Sequence, residues 1–489
     1  MKRKPMKILI TSIGRGVNAD ENGERNISSY KRANYQWQNE EPFSTCYVAD
    51  AMKHFFPVDG IMLLGTAGSD WASLYYYILT QEDCTLKREG AIYDERYLKS
   101  TLNLLSDSNK ALEFANLTGD MMKNGEKPIY HHQLDTEKVE KALKPLQETI
   151  DGCMDIIVLK YGVDKAEQMD NIRALYRMEE LLDDGDELYI DLTHAFRSLQ
   201  FFELVALTYF RKVSRKNIII KMLSYGQFES RHEYGNITKI VDMSGLLNLM
   251  ELFNAASEYR MFGTLHDVDG LPLQLKTEEE EILHRFGDAI SINNIVGFGD
   301  LISESHKLWL ERELEKKEAR HELNFLLDDV LRDIDSGFYK DKDDPTKTQL
   351  NLARWHYEHK RYLIAITTAQ EAFITWGLNL IEIKAKSYDE RDTMKTAIRN
   401  LGKRTKSNSV EWQISSSFNK ACLCRNGVAH PQDEQFDVSK KIGGIDSALS
   451  SLENSYNRFM KLDIFKKNAI SDKLSQEYDN AEERRKKRK

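Results

Sequence analysis

Short apolar runs recur through the first half of the chain and then stop. Lys7 to Ser12, Gly60 to Leu64, Asp155 to Leu159, Glu187 to Ile190 and Asn217 to Met222 are rich in Ile, Leu or Val, with stretches of helical character between them. Runs this short and this apolar read as strands buried on both faces, which points to a parallel sheet covered by helices. From about residue 244 no such run returns and helical periodicity takes over. The pattern predicts a Rossmann-like α/β domain over residues 1–243, a helical connector over 244–348 and an all-α domain over 349–470. A long polar stretch, about residues 81–150, reads as a helical insertion or a set of crossover helices. Ser336 to Thr348, dense in Asp and Lys, is the linker candidate. Residues 471–489, closing in Arg-Arg-Lys-Lys-Arg-Lys, read as a basic, disordered tail.

A chain of 489 residues exceeds one compact core, so two or three domains are expected. A net charge of −9 argues against a protein that coats nucleic acid non-specifically, though it leaves room for a local basic site. The five cysteines are odd in number and scattered, without a CxxC pair. Cys422 and Cys424 stand too close together to form half of an ordinary zinc site, so no metal is expected. A reduced, cytoplasmic setting fits. No apolar run approaches the roughly 20 residues that span a bilayer. The basic start, Met1-Lys2-Arg3-Lys4-Pro5, leads into a strand and not into a secretory segment.

Two places carry chemistry. In the first half, Leu188 to Ser198 places Asp191 at a strand end, Thr193 as a candidate helix cap, and His194 and Arg197 at the start of a helix apolar on nearly every side. Helix starts at the carboxyl edge of an open sheet favour anions. The loops after the first two strands open at the same edge. One offers Ser12, Gly14 and Arg15; the other offers Gly65 and Thr66. Gly14-x-Gly16 begins like a dinucleotide fingerprint, but Ala19 stands where the third glycine belongs, and no Walker lysine is present. A local Asp191–Arg197 ion pair is the plain structural alternative.

In the second half, Arg425-Asn426-Gly427-Val428-Ala429-His430 precedes Pro431. Arginine can neutralise a crowded phosphate, histidine can move protons near neutral pH, and asparagine can orient either. Arg425 and His430 are five apart, about 140° around an ideal helix. A straight helix cannot aim both at one phosphate. Either Gly427 breaks the helix, or two copies meet across a two-fold axis. A surface arginine and a helix-ending histidine are the alternative. Upstream, Arg361 to Leu380 reads as an amphipathic helix whose apolar face Glu371 interrupts, a candidate for polar support of the site.

Asp191-x-Thr193-His194-x-x-Arg197-Ser198, with the Ile13-Gly14 and Gly65-Thr66 loops, resembles the CARF domain (CRISPR-associated Rossmann fold). Ser224 to Glu229 and Ile240 to Ser244 resemble that family's closing segments. Arg425-Asn426-x-x-x-His430 is similar to the R-x-x-x-x-H motif of HEPN ribonucleases, including the asparagine after the arginine. The resemblance spans nearly the whole chain apart from the insertion and the tail.

It implies an ancillary ribonuclease of type III CRISPR systems, active as a homodimer or larger even assembly. Cyclic oligoadenylate would bind at Ser12, Gly14, Arg15, Gly65, Thr66, Thr193, His194 and Arg197 and switch on cleavage of single-stranded RNA. Cyclic tetra-adenylate is the expected activator, then hexa-adenylate, with no cofactor or metal. Arg425 would stabilise phosphate charge, His430 would act as general acid or base, and Asn426 would orient them. A rival reading is a nucleotide-sensing regulator that binds DNA or protein without cleaving RNA. A third is that the N-terminal pocket cleaves its own activator, with His194 and Ser12 as candidates by position.

Overall fold

The computed structural model describes residues 3–14, 32–107, 109–194, 197–265, 271, 275–293, 298–314, 324–384, 387–403, 405–429 and 437–487, with backbone alone at Leu175, Arg197, Ser198 and Phe298. The chain divides into two compact units, Met1–Leu247 and Asn248–Lys489.

Among the described residues the first unit holds one sheet of eight strands. They are β1 (Lys7–Ile13), β2 (Ala33–Trp37), β3 (Phe43–Thr45), β4 (Gly60–Thr66), β5 (Cys153–Leu159), β6 (Glu187–Asp191), β7 (Ile219–Gly226) and β8 (Ile237–Asp242). Their order across the sheet is β3-β2-β8-β7-β6-β1-β4-β5. The strands from β7 to β5 run parallel, as the apolar runs predict. The sheet as a whole is mixed, which corrects the purely parallel expectation: β8 is antiparallel to β7, and β3 to β2. The three strands that escaped sequence reading lack an apolar run. Ala33–Trp37 is polar and aromatic, Phe43–Thr45 is three residues long, and Ile237–Asp242 buries only alternate residues.

Among the described residues, eight α-helices surround the sheet: α1 (Val48–Phe55), α2 (Trp71–Thr80), α3 (Glu95–Tyr97), α4 (Asn103–Ser106), α5 (Ala111–Thr118), α6 (Thr136–Thr149), α7 (Lys165–Leu181) and α8 (Arg197–Lys212). The polar stretch 81–150 is thus part of the crossover from β4 to β5, and Phe114, Val139, Leu143 and Leu146 join the core. Strand parity sorts the two faces. Leu9, Ile61 and Leu63 pack with α1, α2 and the crossover helices; Ile8, Ile10, Met62 and Leu64 pack with α7 and α8. Helix α8 is not buried all round, as its composition suggested. Leu199, Ala206, Leu207 and Phe210 meet the sheet, while Phe201 and Val205 are exposed.

The second unit is helical. Helix α9 (Ser244–Phe262) leads into it, followed by α10 (Thr277–Ser291), α11 (Phe298–Leu314), α12 (Phe325–Gly337), α13 (Pro345–Glu358), α14 (Tyr362–Leu380), α15 (Tyr388–Leu401), α16 (Val410–Ala429), α17 (Val438–Met460) and α18 (Ile464–Lys486). Helices α9 to α12 share one core, and α14 to α18 share another. Helix α13 serves both, giving Leu352 and Trp355 to the first and Leu350 and Ala353 to the second.

Two expectations fail here. The candidate linker 336–348 is packed structure, because Phe338 is fully buried and Asp344 caps α13 through the Lys347 amide, with Pro345 in the first turn. The tail is not disordered either. Residues 471–486 continue α18, burying Leu474, Tyr478 and Ala481, while Arg485 pairs with Asp389 at the start of α15. The apolar residues spaced along α18 outweigh its charge content, which alone suggested a solvated terminus. Among the described residues no helix is long and apolar enough to cross a membrane.

Candidate ligand-binding and catalytic sites

Strands β4 and β5 lie on one side of β1, and β6 lies on the other. The carboxyl ends of β1 and β6 therefore flank the switch point of the sheet, where open α/β sheets leave a crevice. Gly14 follows β1 directly, and a Cβ there would lie 2.4 Å from the carbonyl oxygen of His194. Only glycine lets the two strand ends approach this closely. The Gly14 carbonyl in turn accepts from the Asp70 amide at 2.9 Å.

Behind this mouth, Asp191 is fully buried and accepts three bonds: Thr11 Oγ1 at 2.7 Å, the Thr193 amide at 3.0 Å and Thr193 Oγ1 at 2.5 Å. Thr193 Oγ1 accepts from the Gly226 amide at 2.8 Å. The Thr193 hydroxyl thus ties the end of β6 to β7, and Ala195 and Phe196, between it and the described start of α8 at Arg197, lie outside the described residues. Ser12, also fully buried, donates to Glu203 on α8. Burial pushes the Glu203 carboxyl up to about 8.

The β4 loop is equally inward. Ser69 Oγ donates to the Ile13 carbonyl at 2.6 Å and accepts from the Thr66 amide at 2.9 Å. Trp71 Nε1 donates to the Thr66 carbonyl at 3.0 Å, and a Cβ on Gly65 would meet the Trp71 ring at 2.4 Å. Ser12, Gly65 and Thr66 therefore shape the mouth from beneath. His194 sits half-buried beside Tyr47, ring centroids 6.4 Å apart. Burial lowers its pKa against the pull of Asp191 and Glu229, which favours the neutral ring. Arg15 and the Arg197 side chain lie outside the described residues, so the Asp191–Arg197 pair does too.

Sequence reading missed two residues here: Glu203 and Asp70. The last was legible, since Asp70 three residues before Ser73 is a helix-cap pattern, and its carboxylate does accept from the Ser73 amide at 3.2 Å.

In the second unit α16 continues unbroken through Gly427 to Ala429. Gly427 does not break the helix. Arg425 is half-buried and Asn426 exposed, with Arg425 Nη1 donating to Asn426 Oδ1 at 3.4 Å. A Cβ on Gly427 would lie 3.2 Å from Lys441 Nζ on α17, a neighbour that sequence reading did not find. His430 lies outside the described residues. Glu371 is engaged elsewhere, accepting from Arg391 Nε at 2.9 Å. All five cysteines are free thiols.

Comparison with known proteins now bears on the first unit. Residues 8–229 match the family model for the CARF domain of the CRISPR system endoribonuclease Csx1. Over that span the chain is similar to a CARF domain. The matched CARF segment runs from β1 through β7 and includes the crevice residues Gly14, Asp191, Thr193 and His194. The chain is also 26% identical over 447 residues to the CRISPR-associated protein MJ1674 of Methanocaldococcus jannaschii, covering 89% of this chain and 63% of that one. The chain therefore spans less than two thirds of the length of that relative. Among solved structures, Enterococcus italicus Csm6 bound to cyclic hexa-2'-fluoro-hexa-dAMP matches at 13% identity with a TM-score of 0.28, covering 97% of this chain and 99% of that one.

Proposed function

We propose that this CARF protein is a metal-independent endoribonuclease of type III CRISPR defence, switched on by cyclic oligoadenylate. The observation that carries the reading is the pairing of a CARF crevice in one unit with Arg425 and Asn426 on the last turn of α16, directly before His430. The second unit acts as a HEPN ribonuclease. Arg425 neutralises the scissile phosphate, and Asn426 holds the guanidinium in place. His430 shuttles the proton while the RNA 2'-oxygen attacks phosphorus and the 5'-oxygen departs, leaving a cyclic phosphate.

Helix α16 runs on through Gly427 to Ala429, so a break at that glycine is not what brings the two groups together, which supports a site completed across a homodimer axis. The ring sits over Gly14 and His194, with Arg15 and Arg197 as its phosphate partners. Activation requires the ring to prefer the active arrangement, by about 5.5 kcal/mol for a shift from 1% to 99%.

The test is cleavage of a fluorogenic single-stranded RNA in EDTA, with cyclic tri-, tetra- and hexa-adenylate in turn. Cleavage is expected with the tetramer first and the hexamer next. Silence with every ring, together with ligand-dependent DNA binding in a gel shift, would replace this reading with a non-cleaving regulator.

A further inference from the structure

A cavity of about 310 Å³ opens in the second unit where the end of α9 meets α12 and the end of α13. That volume lies at the small end of the roughly 300–1,000 Å³ usual for small-molecule sites. Its aromatic wall is held in place. A Cβ on Gly263, which has a left-handed φ of +61°, would lie 2.2 Å from the Trp355 ring, so glycine lets the chain after α9 press on the indole. The His359 ring covers Trp355 with centroids 3.9 Å apart. Tyr259 Oη at 2.9 Å and Trp355 Nε1 at 3.2 Å both donate to Asp333 Oδ2. Burial, reinforced by Asp333, keeps the Tyr259 phenol protonated.

These contacts leave acceptors inside and donors at the mouth. Among the described residues nothing donates to Asp333 Oδ1. His359 lines the cavity and is 9% exposed. Its Nδ1 donates to the Trp355 carbonyl at 2.8 Å, which leaves Nε2 with a lone pair and, among the described residues, no partner. At the mouth Arg260 and Arg332, both exposed, each grip the buried Asp329 through one nitrogen, and their remaining N–H groups face no acceptor among the described residues.

We propose that this cavity is a guanine-nucleotide site, in which Asp333 and His359 accept from the N–H edge of the base and Arg260 and Arg332 hold the phosphate. Guanine sets N1–H beside its 2-amino group and so brings donors to these acceptors. Adenine sets the N1 lone pair beside its amino group, against a carboxylate. A polyamine would suit the acceptors but not two guanidiniums at the mouth. The guanine belongs either to a free nucleotide or to single-stranded RNA, and the site stands apart from the RNA-cleavage reading above.

Calorimetric titration of the full chain with GMP, guanosine, AMP and spermidine, beside thermal unfolding, tests the site in wild type, Asp333→Asn and Arg260→Met. GMP should bind about 10- to 100-fold tighter than AMP. Asp333→Asn keeps an acceptor for Tyr259 and Trp355 but turns an amide toward the base, so that preference should vanish. Arg260→Met, on the exposed rim, should weaken GMP severalfold and leave guanosine unchanged, a split that a packing defect would not give. Should Asp333→Asn unfold, that split decides alone. In Arg425→Ala protein, displacement of GMP by a guanine-bearing oligonucleotide and not by oligouridylate identifies RNA as the source; displacement by neither identifies the free nucleotide. Equal affinity for GMP and AMP, no GMP binding at millimolar concentration, spermidine binding in its place, or GMP affinity that Arg260→Met leaves untouched overturns the site.

Discussion

The hydroxyl of Ser12 donates to the carboxyl of Glu203, and both side chains are sealed beneath the carboxyl edge of the sheet. Among the described residues, the second oxygen of Glu203, Oε2, has no hydrogen-bond partner. The residue borders a small apolar cavity walled by Ile10, Leu64, Ile190, Phe202 and Phe210. An ionised carboxylate is costly in such a setting, so the fold selects the neutral acid.

This makes the first unit sensitive to alkali. The folded Glu203 titrates at about 8, above the roughly 4.3 of an unfolded glutamate. Its raised value means full stability below the unfolded pKa and progressive loss as pH climbs through the folded one. The loss is on the order of a few kcal/mol by pH 9. Calorimetry between pH 5 and 9 should show the decline in wild type and a flatter profile in Glu203→Gln, which keeps an acceptor for Ser12. Parallel profiles would show that Glu203 ionises freely.

The mouth tolerates no side chain at Gly14. Gly14→Val should lower affinity for cyclic tetra-adenylate at least 10-fold, because a Cβ at 2.4 Å from the His194 carbonyl forces the ends of β1 and β6 apart. The same crowding should cost about 1–3 kcal/mol of stability. Calorimetric titration beside thermal unfolding reads both. Unaltered binding would place the ligand elsewhere.

Arg425→Ala should reduce RNA cleavage by about 100- to 1,000-fold without measurable loss of stability. The side chain is half-buried, and among the described residues its hydrogen bond runs to exposed Asn426. Single-turnover cleavage and a melting curve decide the matter. A large drop in melting temperature would mark the arginine as structural.

Leu474 tests the last helix. The side chain is fully buried in the core shared by α14 to α18, so Leu474→Ala should cost about 2–5 kcal/mol. Urea unfolding followed by tryptophan fluorescence would measure it, and a neutral result would mean that α18 adds little to the unit.

Much of this was legible beforehand, and strand parity explains how much. Residues 8, 10 and 12 of β1 share a face, so Ser12 had to turn toward the α8 layer, away from the mouth. The glycine-bearing strand ends were readable because chain reversal at a sheet edge favours such residues. Glu203 was hidden because it lies mid-helix among apolar neighbours, where nothing local distinguishes a buried acid. Lys441 was hidden for another reason: its approach to Gly427 depends on how α16 and α17 pack, which no local spacing encodes. Tyr478 and Leu474 were visible as letters but outvoted by the charge around them.

Strand β2 pairs with β8, and the bond between Lys239 and Gln36 joins residues 203 apart in the chain. Closing so long a loop is entropically slow, whereas β4 and β5 can align with β1 much sooner. The β2–β3 edge should therefore form after the folding transition state. Substitutions at Tyr35 should speed unfolding and leave the refolding rate almost untouched.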